Sequence, residues 1–386
     1  MNILASIIFA AVELISPGEG TVVKLVPEVQ RSVMAEKTLA ERKALIASDA
    51  ARYGENAAWR RSEPVVFRWR PTAGEIYMWE FSIAKKKDFS DARIEILTAE
   101  TNADGCVEWV LPRANLEIGE TYYWRVSANL VCFTWGHPRG CGCPKARQPV
   151  VSRTSSFRTE DIAPRWIEIE GRVKNIRDIG GRNTEDGRRV RQGLVFRGQG
   201  LNDNSLDGCI RGRNRLTAED VDYLTRTLGI RTDLDLRTPQ ETALMKVSPL
   251  GPSVRLVLHS SRQYKELFTP EGRRNMAENF RIFTRRENFP VYFHCIAGAD
   301  RTGSLAYILE GVLGISRQDC ETDWEATFYP RFPKESDGIL GEVHFSNGLS
   351  AYGEKGASLR RQTELYLQDC GITKEEIDAF RSIMLK

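Results

Sequence analysis

The sequence predicts two folds in series: an all-β sandwich, then an α/β unit whose mostly parallel central sheet is flanked by helices. Three observations carry this. Between residues 60 and 160, short segments rich in Val, Ile, Tyr, Phe and Trp follow one another with turn residues and no helices between them. At Ala163-Pro164-Arg165-Trp166 the rhythm changes to strand alternating with helix. A chain of 386 residues also has the length of two domains rather than one. The expected domains are 1–162 and 163–386.

Composition narrows the function classes. Lys and Arg number 55 against 52 Asp and Glu, so 55 − 52 leaves +3. That balance gives no long-range attraction to nucleic acid or anionic membranes, and no nucleic-acid partner is expected. Hydrophobic residues at 41% supply a sizeable core. No run of about 18 apolar residues occurs, so a multi-span membrane protein is excluded and no stable span is expected.

The longest apolar stretch, Ile3 to Val12, is broken only by Ser6. It has the length of an export-signal core, yet no Lys or Arg precedes it and Glu13 follows closely. A first strand running into Ser16-Pro17-Gly18 is the other reading, so exported and cytoplasmic locations both stay open. Turn signals and short apolar pieces (Val22, Val23, Leu25, Val26) fill 17–30. From about 28 to 51 the spacing is helical, with Val33, Met34, Leu39 and Leu45 on one face, which predicts a helical insertion in the first domain. Strands are predicted at 65–69, 76–83, 106–111, 121–126 and 155–159. In the fourth, Tyr122, Trp124 and Val126 share a face. Trp69 and Trp124 are candidate core residues.

In the second domain, strands are predicted at 194–196, 232–236, 254–258 and 291–294. Helices are predicted at 217–228, 273–285, 303–314, 355–370 and 373–385. Leu305, Ile308, Leu309, Val312 and Leu313 fall at i, i+3, i+4, i+7 and i+8, a buried stripe.

Eight cysteines are scattered along the chain, unlike the dense framework of a small disulfide scaffold. Cys132, His137, Cys141 and Cys143 cluster but lack paired C-x2-C knuckles, so a disulfide or plain thiols are favoured over zinc. No metal or cofactor is expected.

The segment that carries chemistry is Pro290-Val291-Tyr292-Phe293-His294-Cys295-Ile296-Ala297-Gly298-Ala299-Asp300-Arg301-Thr302-Gly303. It reads as a buried strand, a short loop and an amphipathic helix. Such a loop can wrap one tetrahedral anion, with backbone N–H groups inward and the helix N-terminus adding partial positive charge. Arg301 brings a planar fork that holds two oxyanions at once. The same field favours the thiolate of Cys295, which is the nucleophilic form. Thr302 can donate its hydroxyl to the sulfur, and His294 orients the loop through backbone hydrogen bonds rather than acting as a base.

This segment resembles the H-C-x5-R-[ST] signature of the cysteine-dependent protein tyrosine phosphatases. More narrowly, it resembles the bacterial and fungal branch of atypical tyrosine and dual-specificity phosphatases, H-C-x-x-G-K-D-R-T-G. Asn175-Ile176-Arg177-Asp178-Ile179-Gly180-Gly181, Gly193 to Gly198, Gly229 to Glu241, and the tail around Thr363 to Thr373 are similar to other motifs of that branch, in the same order. In the first domain, Leu116 to Tyr122 resembles the tyrosine corner of fibronectin type III-like sandwiches, where a Tyr hydrogen-bonds the upstream backbone.

The resemblance implies a phosphomonoesterase. Cys295 would be the nucleophile, and Arg301 with the amides of Ile296, Ala297, Gly298 and Ala299 would bind the phosphoryl group. Asp300 would be the general acid. Asp178 is the second candidate for the acid, although pinning the Gly180-Gly181 turn is the favoured role. Asn175 is a supporting residue. Independently of the resemblance, Arg197 and Arg237 each follow a strand pattern toward the C-terminal sheet edge where ligands sit: Arg197 would touch phosphate or a lid carboxylate, or lie on the surface, and the other reading of Arg237 is an ion pair with Glu241. Ala299 stands where the branch often carries Lys, which lowers a phosphoinositide reading. Residues 202–215 look like an insertion, bringing Cys209, Arg211, Arg213 and Arg215 toward the rim. Segments 262–287 and 329–354 are candidate lids, with Phe268, Phe280, Phe283, Phe328, Tyr329 and Phe332 lining the pocket or packing helices. The arginines at 182, 188, 189 and 191 are expected on a solvated hairpin face. The expected partner is a phosphorylated protein or peptide, with a protein or carbohydrate ligand for the sandwich. A phosphate-binding pseudoenzyme or adhesion module is the reading from another class.

Overall fold

The computed structural model describes residues 12–35, 62–71, 78–128, 150–203, 213–328 and 345–386, with isolated positions between 41 and 48. One compact unit comprises the chain up to Leu25 together with Glu63–Asp161; the other comprises Val26–Ser62 and Ile162–Lys386. The predicted helical insertion therefore groups with the second unit, not the first. Its described part is the helix Glu28–Ala35, which touches the helix Arg317–Phe328.

The first unit is built from β1 Val12–Ser16, β2 Thr21–Val23, β3 Val66–Pro71, β4 Met78–Ala84, β5 Arg93–Thr98, β6 Val107–Val110, β7 Thr121–Ala128, β8 Val150–Val151 and β9 Ser155–Thr159. One sheet has the order β1-β3-β6; the other has β2-β9-β7-β4-β5, with β8 on β7. Phe67 and Trp69 from the first sheet and Trp79, Phe81, Trp124 and Phe157 from the second are fully buried. The Phe67 ring lies 4.6 Å from Phe81 and 5.0 Å from Trp124, edge-on contacts that suit the aromatic quadrupole. The period-2 pattern of β7 holds: Tyr122, Trp124 and Val126 are buried while Tyr123 and Arg125 are half-buried. The hydroxyl of Tyr122 accepts a hydrogen bond from the Glu117 amide at 2.9 Å. Sequence reading missed β5. Two of its three apolar residues, Ile94 and Ile96, are exposed, at 57% and 59%, and only Leu97 packs against the core.

In the second unit, β10 Arg165–Trp166, β11 Arg177–Asp178, β12 Val195–Gly198, β13 Thr232–Asp235, β14 Arg255–Leu258 and β15 Val291–His294 form one sheet. Its order is β10-β11-β12-β15-β13-β14. The last four of these are parallel, and β10 and β11 add antiparallel. Strands β12, β13 and β15 are buried at every position, as expected where helices cover both faces. The helix Asp300–Leu313 is buried along its whole length from Thr302, so the predicted stripe understated a central helix. It stops at Gly314, whose φ of +91° supplies the left-handed cap.

The predicted helix 217–228 splits into Ala218–Asp222 and a π-turn, Tyr223–Thr227. The helix Pro270–Ile282 buries Met276, Ala277, Phe280 and Ile282, so this part of the candidate lid is a wall of the core. Phe280 and Phe283 pack against Phe380, and Phe268 packs against Phe345, Tyr352 and Tyr366. Helix Arg317–Phe328 was not predicted, because its buried face carries Asp323 and Glu325 as well as apolar residues.

Residues 3–11, Ile76, Tyr77, the Cys132/His137/Cys141/Cys143 cluster, Cys209, Arg211, Tyr329 and Phe332 lie outside the described residues. Among the described residues, Cys106, Cys295, Cys320 and Cys370 are free thiols. No described group of three or more His, Cys, Asp or Glu could hold a metal, and no described helix is long and apolar enough to cross a membrane.

Candidate active site

Loops leaving the C-terminal ends of β12, β13 and β15 converge, at the sheet edge where α/β folds place ligands. Strand β15 delivers His294, then Cys295, and the loop 296–299 runs into the helix that begins at Asp300. No side chain caps that helix end, which leaves its first N–H groups available to an anion. Cys295 is buried in the main core cluster, at 3% exposure.

Gly298 makes the loop possible. Its φ is +71°, and a Cβ there would lie 2.3 Å from the carbonyl oxygen of Gly198. Only glycine meets both conditions. Its carbonyl accepts hydrogen bonds from Asn175 Nδ2 at 3.2 Å and Arg197 Nη2 at 3.1 Å.

Arg301 does not project unsupported. Its Nη1 and Nη2 donate to the two carboxylate oxygens of Glu241 at 2.7 and 3.1 Å. The Thr238 amide donates to the same carboxylate at 2.7 Å. Burial would raise the Glu241 pKa, yet Arg301 and Thr238 overcome it and hold the group down at about 2. Burial likewise opposes the Arg301 charge, and the bonds to Glu241 more than restore it. A guanidinium has five N–H donors, so three remain for a ligand.

His294 is fully buried. Nε2 meets Asp233 Oδ1 at 2.9 Å and Nδ1 meets the Cys295 carbonyl at 3.1 Å. Burial lowers its pKa, but Asp235 and Asp233 outweigh this and raise it above the usual value. The ring bridges a carboxylate and the loop backbone, the geometry expected of an orienting group. Thr302 is buried, and its hydroxyl has no hydrogen-bond partner within the protein. The Tyr264 hydroxyl donates to Asp300 Oδ1, a partner that sequence reading did not foresee because 36 residues separate the two.

Three expectations are corrected. Arg197, expected toward the substrate, is buried behind the loop: Nη1 donates to Asp323 Oδ2 at 2.6 Å and Nη2 to the Gly298 carbonyl. Burial, then Arg177, lower its pKa to about 10. Arg237 pairs with Asp235, not Glu241, and also donates to Asn202 Oδ1 at 2.7 Å. Arg182 is buried against Asp323 and Glu310 instead of lying on a solvated face. Of its neighbours, Arg188 pairs with Asp186, Arg191 donates to the Ser382 and Ile383 carbonyls, and Arg189 pairs through its backbone with Lys386. Arg215, expected toward the rim, is held by Asp203 Oδ1 at 2.8 Å.

Asp178 is fully buried. It accepts from the Gly180 amide at 2.8 Å, the Gly193 amide at 2.6 Å and Arg165 Nη1 at 3.1 Å. Its lone pairs are spent on the turn and on an arginine, which is the structural role the sequence favoured. We expect Asp178→Asn to lower stability by about 3 kcal/mol, since it breaks a buried ion pair. Denaturant titration reads this. The sensitivity of turnover to leaving group should not change; if it does, Asp178 takes part in proton transfer.

Residues 167–335 match the model of the tyrosine phosphatase family. A protein of Cupriavidus necator, provisionally named a tyrosine-protein phosphatase, is 27% identical over 191 residues. That alignment covers 41% of this chain and 64% of the relative. The tyrosine-protein phosphatase of Nostoc commune is 26% identical over 218 residues, covering 43% of this chain and 70% of that protein. This chain thus spans just under two thirds of the first relative's length. Among solved structures, the core catalytic domain of a PP-IP phosphatase from S. cerevisiae aligns with a TM-score of 0.25 and 14% identity, over 41% of this chain and 89% of that one. The second unit is thus similar, over most of its length, to proteins of the tyrosine phosphatase family.

Proposed function

We propose that the chain is a phosphomonoesterase working through a cysteinyl-phosphate. The observation that carries this is the loop 295–301: a buried cysteine under an uncapped helix end, closed by an arginine whose fork Glu241 orients. The Cys295 thiolate attacks phosphorus and the bond to the leaving oxygen breaks. Asp300 gives that oxygen its proton. Water then attacks phosphorus, the P–S bond breaks, and the Asp300 carboxylate takes the proton from water. The loop amides of Ile296 to Ala299 and the two N–H groups on the free edge of Arg301 bind the equatorial oxygens. Thr302, with its unpartnered hydroxyl, donates to the departing sulfur. Asn175 and Arg197 support the loop from behind, and His294 aligns it.

Phosphotyrosine protein is the preferred substrate in this reading, with phosphoserine and phosphothreonine secondary. Ala299 in place of a lysine argues against phosphoinositides. The first unit is read as a fibronectin type III-like sandwich. Its two-sheet strand order and the Tyr122–Glu117 bond support this. Its role is to dock a protein or carbohydrate partner.

The test is a kinetic panel of phosphotyrosine peptide, phosphoserine peptide and phosphoinositide in the presence of a chelator. We expect the phosphotyrosine peptide to lead by about 10-fold or more in kcat/KM, about 1.4 kcal/mol of discrimination. A phosphoinositide that leads would replace the substrate assignment. Intact phosphate binding without turnover would favour the phosphate-binding reading.

A further inference from the structure

An anion loop works only while its N–H groups face inward, so its carbonyls must be turned out and kept there. At Gly298 the outward carbonyl is held by Arg197 and Asn175. Neither donor stands alone. Arg177 Nη1 donates to Asn175 Oδ1 at 2.6 Å. Arg177 and Arg197 are directly opposite in the β11–β12 ladder, an arrangement that repels unless a counter-charge intervenes.

Asp323 is that counter-charge. It comes from the helix Arg317–Phe328, well beyond the loop in sequence. Its carboxylate accepts from Arg177 Nε at 3.0 Å and Nη2 at 3.2 Å, from Arg197 Nη1 at 2.6 Å and from Arg182 Nη2 at 3.3 Å. Its backbone carbonyl accepts from Arg177 Nη2 at 2.9 Å. Thr327 Oγ1, one turn on, accepts from Arg177 at 2.6 Å. Arg177, Arg197 and Asp323 are all at 1% exposure or less.

Burial would raise the Asp323 pKa, but Arg177, Arg197 and Arg182 overcome it and hold the group well below the usual range. Glu310 behaves oppositely: burial, then Asp323, push it up to about 8. So of the two buried carboxyls, Asp323 is the one whose charge the arginines need. Stability alone is a poor reason for such a cluster, because apolar packing of similar volume usually does as well.

We infer that Asp323 is a positioning residue of the phosphate loop. Through Arg197, and through Arg177 and Asn175, it locks the Gly298 carbonyl outward and keeps the neighbouring amides facing the oxyanion. This rests on the phosphatase reading of the same loop. Loss of the Asp323 charge leaves three buried guanidiniums to repel one another, and the peptide at Gly298 loses its fixed orientation.

The test uses the full chain with inorganic phosphate as probe, read as inhibition of aryl phosphate hydrolysis and by calorimetry. Asp323→Asn keeps the shape and removes the charge. Asn175→Gly removes one donor and tolerates the φ of +64° at that position; it covers the case in which the first variant does not fold. We expect phosphate to bind about 10-fold or more weakly to Asp323→Asn and several-fold more weakly to Asn175→Gly, with unchanged far-UV circular dichroism. A merely structural role would lower the melting temperature and leave phosphate affinity alone. Wild-type affinity in the folded variants, with the parent protein active, overturns the inference and spares the phosphatase reading. A parent protein that neither binds phosphate nor hydrolyses the ester overturns both.

Discussion

Cys295→Ser abolishes hydrolysis of an aryl phosphate, by an expected factor on the order of 10⁴ or more, as removal of a covalent nucleophile does elsewhere. Phosphate binding should stay within a few-fold of the parent, because the amides and Arg301 are untouched. Serine is close to cysteine in volume, so the core around position 295, which is 3% exposed, should accept it with little strain. The separation of the two readouts is the informative part. Loss of turnover with retained phosphate binding assigns the bond-making step to the sulfur. A variant that keeps its rate would sink the cysteinyl-phosphate mechanism, whatever else the protein binds.

Asp300→Asn should slow the poorest leaving groups most. For phosphoserine peptide, whose alkoxide leaves badly without a proton, the expected loss is about 10²–10⁴-fold. For an activated nitrophenyl phosphate, whose phenolate leaves unaided, the loss should be small. The Asp300 carboxylate opens the helix that follows the loop, is half-buried, and has one oxygen held by the Tyr264 hydroxyl. The other oxygen remains to carry the proton. Equal slowing across all leaving groups would show that Asp300 only shapes the loop. An unchanged rate on phosphoserine would move proton donation to another group. Asp178 is poorly placed for that role, since two amides and Arg165 already occupy its oxygens.

How much of this was legible in the chain depends on how local each interaction is. The α/β unit was readable because β12 and β15 are buried on both faces and carry the apolar runs Val195-Phe196 and Val291-Tyr292-Phe293 between helices. The sandwich was readable from β7, where Tyr122, Trp124 and Val126 share one face and Thr121, Tyr123 and Arg125 the other. Strand β5 was not, because two of its three apolar residues, Ile94 and Ile96, face solvent. Helix Arg317–Phe328 was hidden for a related reason: its buried face includes carboxylates, and hydrophobic periodicity cannot register a buried charge.

The candidate site divides along the same line. The types and spacing of Cys295, Gly298, Asp300, Arg301 and Thr302 are consecutive chemistry, and a loop of seven residues around one anion leaves few alternatives. Sequence was enough for these. It was not enough for the partners: Glu241 for Arg301, Tyr264 for Asp300, Asp233 for His294, and Asp323 for Arg177 and Arg197. Each of these pairs joins residues from different elements, 36 to 146 positions apart. Arginine and carboxylate side chains carry no mark of which opposite charge they will meet. The parallel sheet brings β12, β13 and β15 to one edge, and the helix packed behind it brings Asp323. Only that packing turned Arg197 from an expected substrate ligand into a buried support for the loop.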